Sequence, residues 1–196
     1  MKKLILLLLF IPVVSLGQTT TERFGSNLPI FIIKTENGDS IVDEPKITAH
    51  LGIIYNDKGE LNYSDDPYNE YDGYIGIEIR GNSTAYFSKK AYSFETRDSS
   101  GEDLNVSLFG LPSESDWILR ASYFDHTFAR NQLANHMSRQ TGYWASKTKL
   151  VEVVLNGEYR GVYIFMEKIK RDKNRVDINK LKINEISGEN LTGGYI

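Results

Sequence analysis

"TKLVEVVLNGEYRGVYIFMEKI", residues 148–169, holds two β-branched and aromatic runs joined by Asn156-Gly157. A two-residue type I′ turn needs positive φ at both central positions, which asparagine and glycine tolerate best, so the stretch predicts a tight antiparallel hairpin. That turn sets Val154 opposite Tyr159 and Val151 opposite Val162. An isolated hairpin is barely stable in water and needs further strands or a helix against its apolar face.

The chain upstream supplies both. "FSKKAYSFETR" (87–97) alternates, and strand parity aligns Lys90 with Tyr92 and Phe94 on one face, and Lys89 with Ala91, Ser93 and Glu95 on the other. "YIGIEIRGNST" (74–84) puts Ile75, Ile77 and Ile79 on one face, with Glu78 and Arg80 on the other. "LPIFIIKTENGDSI" (28–41) reads as a strand, an Asn37-Gly38 turn and a return, and "KITAHLGIIYNDKGELNYS" (46–64) repeats that pattern around Asp57-Lys58-Gly59. "DDPYNEYDG" (65–73) is an acidic connection without the acid spacing of a calcium loop. "DWILRASYF" (116–124) reads as another strand. "DHTFARNQLANHMSRQTG" (125–142) predicts the one clear helix: Asp125 caps it, Ala129, Leu133 and Met137 recur at four-residue spacing, and Gly142 closes it. The expected class is α+β, a mostly antiparallel sheet with one main helix packed on it.

Composition narrows the function. A chain of 196 residues, 40% hydrophobic, is long enough for one domain with a core. A net charge of −3 gives no global basic field for nucleic acid or an anionic membrane. The absence of cysteine removes disulfides, thiol nucleophiles and cysteine-zinc sites, and His50, His126 and His136 are scattered, so no metal site is expected. "MKKLILLLLFIPVVSLG" (1–17) has the basic start, short apolar run and small residues of a secretory signal peptide, too short for a comfortable permanent span. Residues 18–27 read as a short polar linker and 28–196 as one domain; the expected location is secreted, periplasmic or cell-surface, with no stable membrane span after signal removal. The apolar ending "NLTGGYI" (190–196) reads as an interruption, so the chain is expected to be the N-terminal part of a longer domain.

No nucleophile elbow, metal-spaced histidine set or Walker-type loop is present, and Gly81-Asn82-Ser83-Thr84 is a single-glycine turn. A strand–turn–strand with a lysine, then a helix, then a hairpin follows the order of a protein kinase's nucleotide-binding lobe. An ordinary kinase is excluded, because the multi-glycine loop and a helix acid to pair with the lysine are missing.

The stretches "IRGNST" (79–84), "KKAYSFETR" (89–97), "LFGLPSESDWILRASYFDHTFARNQLA" (108–134), "VEVVLNGEYRGVYIFMEKIKRDKNRVDI" (151–178) and "GGYI" (193–196) resemble the spore coat protein H (CotH) kinases, atypical secreted kinase-like proteins of bacteria. The resemblance covers nearly everything from Leu28 onward, and the hairpin block is its most specific part. It implies the nucleotide-binding part of an atypical kinase-like fold, with ATP and Mg2+ as cofactors and an exported or surface protein as substrate. The aspartates that act on the acceptor and hold magnesium are expected beyond Ile196, so no catalytic residue is assigned here.

Four residues are candidates for the nucleotide. Lys90 either reaches the phosphates as a point charge or snorkels along Tyr92 into water. Arg80 either forks onto phosphate or pairs with Glu78. Glu167 either lines the adenine connection or is a strand-end acid paired with Lys168 or Lys170. Arg130, in the helix, organises the site in place of the missing acid. The basic run "KIKRDKNR" (168–175) reads as a solvated face, and Asp116 and Trp117 as the frame of a strand. A non-catalytic cell-surface binding or structural module that keeps the fold is the alternative function, since fold alone does not fix chemistry.

Overall fold

The structure, a computed structural model, describes residues 24–56 and 59–192. The signal-peptide reading, Asp57-Lys58 of the second turn and the terminal "GGYI" lie outside the described residues. The strands are β1 (Gly25–Ser26), β2 (Ile30–Thr35), β3 (Ile47–Ile54), β4 (Asn62–Tyr63), β5 (Tyr71–Arg80), β6 (Ala91–Arg97), β7 (Asp116–Arg120), β8 (Thr148–Leu155) and β9 (Glu158–Glu167). The helices are α1 (Ala129–Gln140) and a final turn, α2 (Glu189–Thr192).

The main sheet closes on itself in the order β2-β3-β5-β6-β7-β9-β8, and β1 pairs only with β4. Every contact around the ring is antiparallel except the seam, where β2 runs parallel to β8 with Ile30 opposite Glu152 and Ile33 opposite Leu155. Closure removes the sheet's free edges. The inward stripes then fill the barrel: Phe31 and Ile33, Leu51 and Ile53, Ile75 and Ile77, Tyr92 and Phe94, Trp117 and Leu119, Val151 and Val153, Tyr163 and Phe165. Phe165 sits at the centre, its ring 5.2 Å from Trp117 and 5.3 Å from Phe109.

This corrects the expectation of an α+β, kinase-like nucleotide-binding lobe with a packed helix. The molecule is mostly β, and α1 buries none of its side chains among the described residues. Leu133 and Met137 of the supposed packing stripe are 57% and 59% exposed. A closed barrel covers its own apolar face, so it has no need of a helix to do so. The C-terminal end of α1 is as expected, but the helix begins at Ala129, with Phe128 at φ 56 in the N-cap position in place of Asp125. Asp125 Oδ2 accepts the Arg130 N–H at 3.1 Å, and Gly142 at φ 87 donates back to the Arg139 carbonyl.

The hairpin turn forms as expected, with Asn156 at φ 51 and Gly157 at φ 81. Val154 faces Tyr159, but Val151 faces Tyr163 rather than Val162, because the register shifts by one between Val153 and Val154. Arg160 is the extra residue, and Gly161, at φ 85, takes the left-handed conformation that the bulge requires. A glycine inside a strand pattern is the local sign of such a bulge. The Asn37-Gly38 turn also forms, but no strand returns directly from it; β3 supplies the partner, and Ile41 drops into the core instead.

Candidate functional site

Strands β2, β5, β7 and β8 end, and β6 and β9 begin, at one end of the barrel. Between them lies a cavity of about 660 Å³ with Ile79, Tyr92, Leu155 and Tyr163 as its apolar wall and Lys89, Lys90 and Arg160 at its rim. Its size suits a small-molecule ligand, for which roughly 300–1,000 Å³ is usual.

The two adjacent lysines are used differently. The alternation that places Lys90 inward and Lys89 outward stops at Ala91, where β6 begins. The last registered β7–β9 pair is Arg120 with Ile164. Past that point the Lys89 ammonium occupies the gap, donating to the Val162 carbonyl at 2.5 Å and lying 4.5 Å from the Tyr163 ring centre and 5.2 Å from that of Phe128. Burial pulls its pKa below the ordinary lysine value, and Glu152 only partly offsets this. Lys89 therefore plugs the barrel wall. Lys90 donates to the Ala85 carbonyl at 2.6 Å, which uses one of an ammonium's three donors. No carboxylate pairs with it among the described residues.

Arg160 is held by Glu158 at 2.7 Å on the surface. On the barrel's outer face, Glu152 accepts from Ser26 Oγ at 2.9 Å and from the Tyr159 hydroxyl at 2.6 Å; burial and that carboxylate push the Tyr159 pKa up to about 12.

The structure does not gather the four sequence candidates. Lys90 lines the cavity. Arg80 ends β5 on the barrel's outer face, opposite Ala91, and does not pair with Glu78. Glu167 closes β9 at the opposite end, four residues or roughly 13 Å of strand beyond Tyr163. It is 1% exposed and accepts the Lys147 N–H at 2.8 Å; neither Lys168 nor Lys170 pairs with it. The Arg130 side chain is 82% exposed, 3.9 Å from Asp125.

That opposite end holds what the sequence reading missed. Lys168 donates to Asp116 at 3.0 Å, while Lys170 bridges Asp116 at 2.7 Å and Glu114 at 2.9 Å. Arg175 is 3% exposed, 5.3 Å from the Trp117 ring, and donates to the carbonyls of Lys168 and Asp116. Three basic residues of 168–175 are thus tied to the barrel end by specific partners; Arg175 is buried, while Lys168 and Lys170 stay partly exposed. Burial raises the Asp116 and Glu114 pKa values, but hydrogen bonds from Lys170, joined by Lys168 at Asp116, outweigh it and leave both lowered. The signal in the sequence was "ESD" (114–116), two acids at the start of a strand.

Among the described residues, no group of three His, Cys, Asp or Glu side chains fits a metal ion, and no helix is long and apolar enough to cross a membrane.

Fold and site together define a mostly antiparallel β-barrel domain whose mouth presents cations over an aromatic wall. The family described as CotH kinase protein matches residues 77–192, more than half of the sequence and all of the strands from late β5 to β9. The chain belongs to the CotH kinase family. Comparison with curated proteins returns no match.

Proposed function

We propose that this domain binds ATP at the barrel mouth, as the nucleotide-positioning part of an exported kinase that phosphorylates serine or threonine on exported or surface proteins. The observation that carries the reading is Lys90: an ammonium without a carboxylate partner among the described residues, at the rim of a ligand-sized cavity. Two of its donors are free for phosphate oxygens, and the apolar wall of Ile79, Tyr92 and Tyr163 suits a flat base. ATP would supply the phosphoryl group; Lys90 would hold and neutralise its phosphates. Glu167 and Arg130 stand away from this cavity and have no part in the proposal. The described residues do not fit magnesium, so no metal-dependent step is assigned to them. Export belongs to the same proposal and is checked by mass spectrometry of the mature N-terminus, expected at Gln18 or a near neighbour; retained Met1 would contradict it. Titration with ATP tests the binding reading: a saturable isotherm is expected, and no binding up to millimolar nucleotide would overturn it.

A further inference from the structure

Arg80 and Arg120 stand in one row across the barrel's outer face, with Ala91 between them. Arg80 is registered with Ala91 on β6; Leu119 is registered with Tyr92, so Arg120 comes level with Ala91 from the other side. Two strand spacings separate the arginines, roughly 9–10 Å between Cα atoms. The alanine methyl leaves the space between the two long side chains open. Neither arginine makes an ion pair or side-chain hydrogen bond among the described residues. The nearest acid on the same strand face, Glu78, leaves Arg80 unpaired. Burial, then the Arg120 charge, pull the Arg80 pKa down, so the two guanidinium groups sense each other.

A small cavity of about 90 Å³ adjoins the Arg120 end of the row, bounded by Lys89, Ala91, Arg120, Ser122, Phe87 and Phe124; Arg80 does not line it. The Ser122 hydroxyl is buried there without a hydrogen-bond partner among the described residues, on a residue at φ 49. A buried, unpaired hydroxyl is costly unless something takes its hydrogen bond. Phe87, Tyr123 and Phe124 pack together beside it, with Phe87 stacked 4.8 Å from Tyr123 and Phe124 70% exposed.

We propose that Arg80 and Arg120, together with the Ser122 hydroxyl, form a second anion site on the outer face that takes a phosphomonoester group. Paired arginine forks match the oxygens of a phosphate dianion, and arginine clusters are a recurring means of recognising phosphorylated residues. The space is far smaller than the roughly 300–1,000 Å³ of a nucleotide pocket, which favours a single phosphate over ATP. The small cavity shares Lys89 with the mouth cavity, but Arg80, Arg120 and Ser122 do not line the mouth, and the site does not depend on the nucleotide reading. It removes Arg80 from the nucleotide's phosphates and gives it a different anion.

Titrations of the whole chain with inorganic phosphate, O-phosphoserine and ATP, at fixed ionic strength and with melting curves in parallel, test this. Saturable phosphate binding is expected, weakened about tenfold or more by Arg120→Gln and by Arg80→Gln, and unchanged by Lys34→Gln on an exposed part of β2. Tighter binding of phosphoserine than of phosphate supports a phosphorylated side chain as the source; equal affinities support free phosphate. Absence of saturable phosphate binding overturns the site, as does an equal loss in all three variants, which would show a diffuse field. So does complete displacement of phosphate by ATP with both lost in Lys90→Ala, which would place phosphate in the mouth. Loss of ATP binding alone would refute the nucleotide reading and leave this one standing.

Discussion

At the far end of the barrel, Lys168, Lys170 and Arg175 are each met by Asp116, Glu114 or a backbone carbonyl, and Arg175 lies over the Trp117 ring. At the mouth, Lys90 meets one carbonyl, and on the adjoining outer face Arg80 and Arg120 meet no partner among the described residues. Both ends are rich in cations, so charge count alone does not distinguish them. Pairing does. A cation whose donors are satisfied internally holds the fold together, and one left with open donors beside a cavity is available to a ligand.

The sharpest way to break this contrast is at the far end. Arg175→Ala removes a buried guanidinium, strands two carbonyls and uncovers Trp117, and should cost about 3–5 kcal/mol in urea unfolding. ATP affinity should not change. A loss below about 1 kcal/mol would mean that the network is decorative. The same network predicts a pH dependence. Asp116 and Glu114 have folded pKa values below their unfolded ones, so their contribution is complete above the ordinary carboxylate range near pH 4 and is lost as pH falls through the lowered values. Lys170 is shifted upward, burial being outweighed by Asp116 and Glu114, so its contribution holds below the ordinary lysine value and is lost at higher pH, as the folded group deprotonates. Asp116→Asn should flatten the acid limb; an unchanged limb would locate the titration elsewhere.

Next in size is the bulge that carries Arg160 to the rim. Gly161→Val places a β-branched side chain at φ 85 and should cost about 2 kcal/mol. An unchanged melting midpoint would show that the bulge relaxes into a regular ladder.

The bulge also marks how far the sequence could be read. Turn chemistry is local: Asn156-Gly157 and Gly142 act within a few residues, and each was legible, whereas the N-cap position falls at Phe128 and not at Asp125. Strand parity is local too, and it identified Ile75, Ile77, Tyr92 and Phe94 as core. Closure of the ring was not legible, because the parallel seam joins Ile30–Ile33 to Glu152–Leu155 across more than a hundred residues, with no motif to announce it. The packed helix failed for the same reason: an amphipathic stripe says that a face exists, not that a barrel leaves anything to cover. Of the site, Lys90 was legible as a cation beside aromatic residues. Which way each lysine turns was not, since parity holds only inside a strand and both lysines precede β6. Asp116 was read correctly as the start of a strand, but its pairing was missed because its partners lie 52 and 54 residues later.

Lys89→Ala refines the comparison within the mouth itself. It removes the Val162 contact and the two ring contacts, and should cost about 1.5–2 kcal/mol of stability. A melting curve identical to the wild type would show that Lys89 is not a plug.

Lys90 carries the central claim, and ATP titration of Lys90→Ala beside the wild type measures it directly. Removing a charge-assisted phosphate contact is expected to weaken ATP by about tenfold, or ~1.4 kcal/mol, while the melting midpoint moves little. Wild-type ATP affinity in Lys90→Ala would contradict the assignment of the barrel mouth as the nucleotide site.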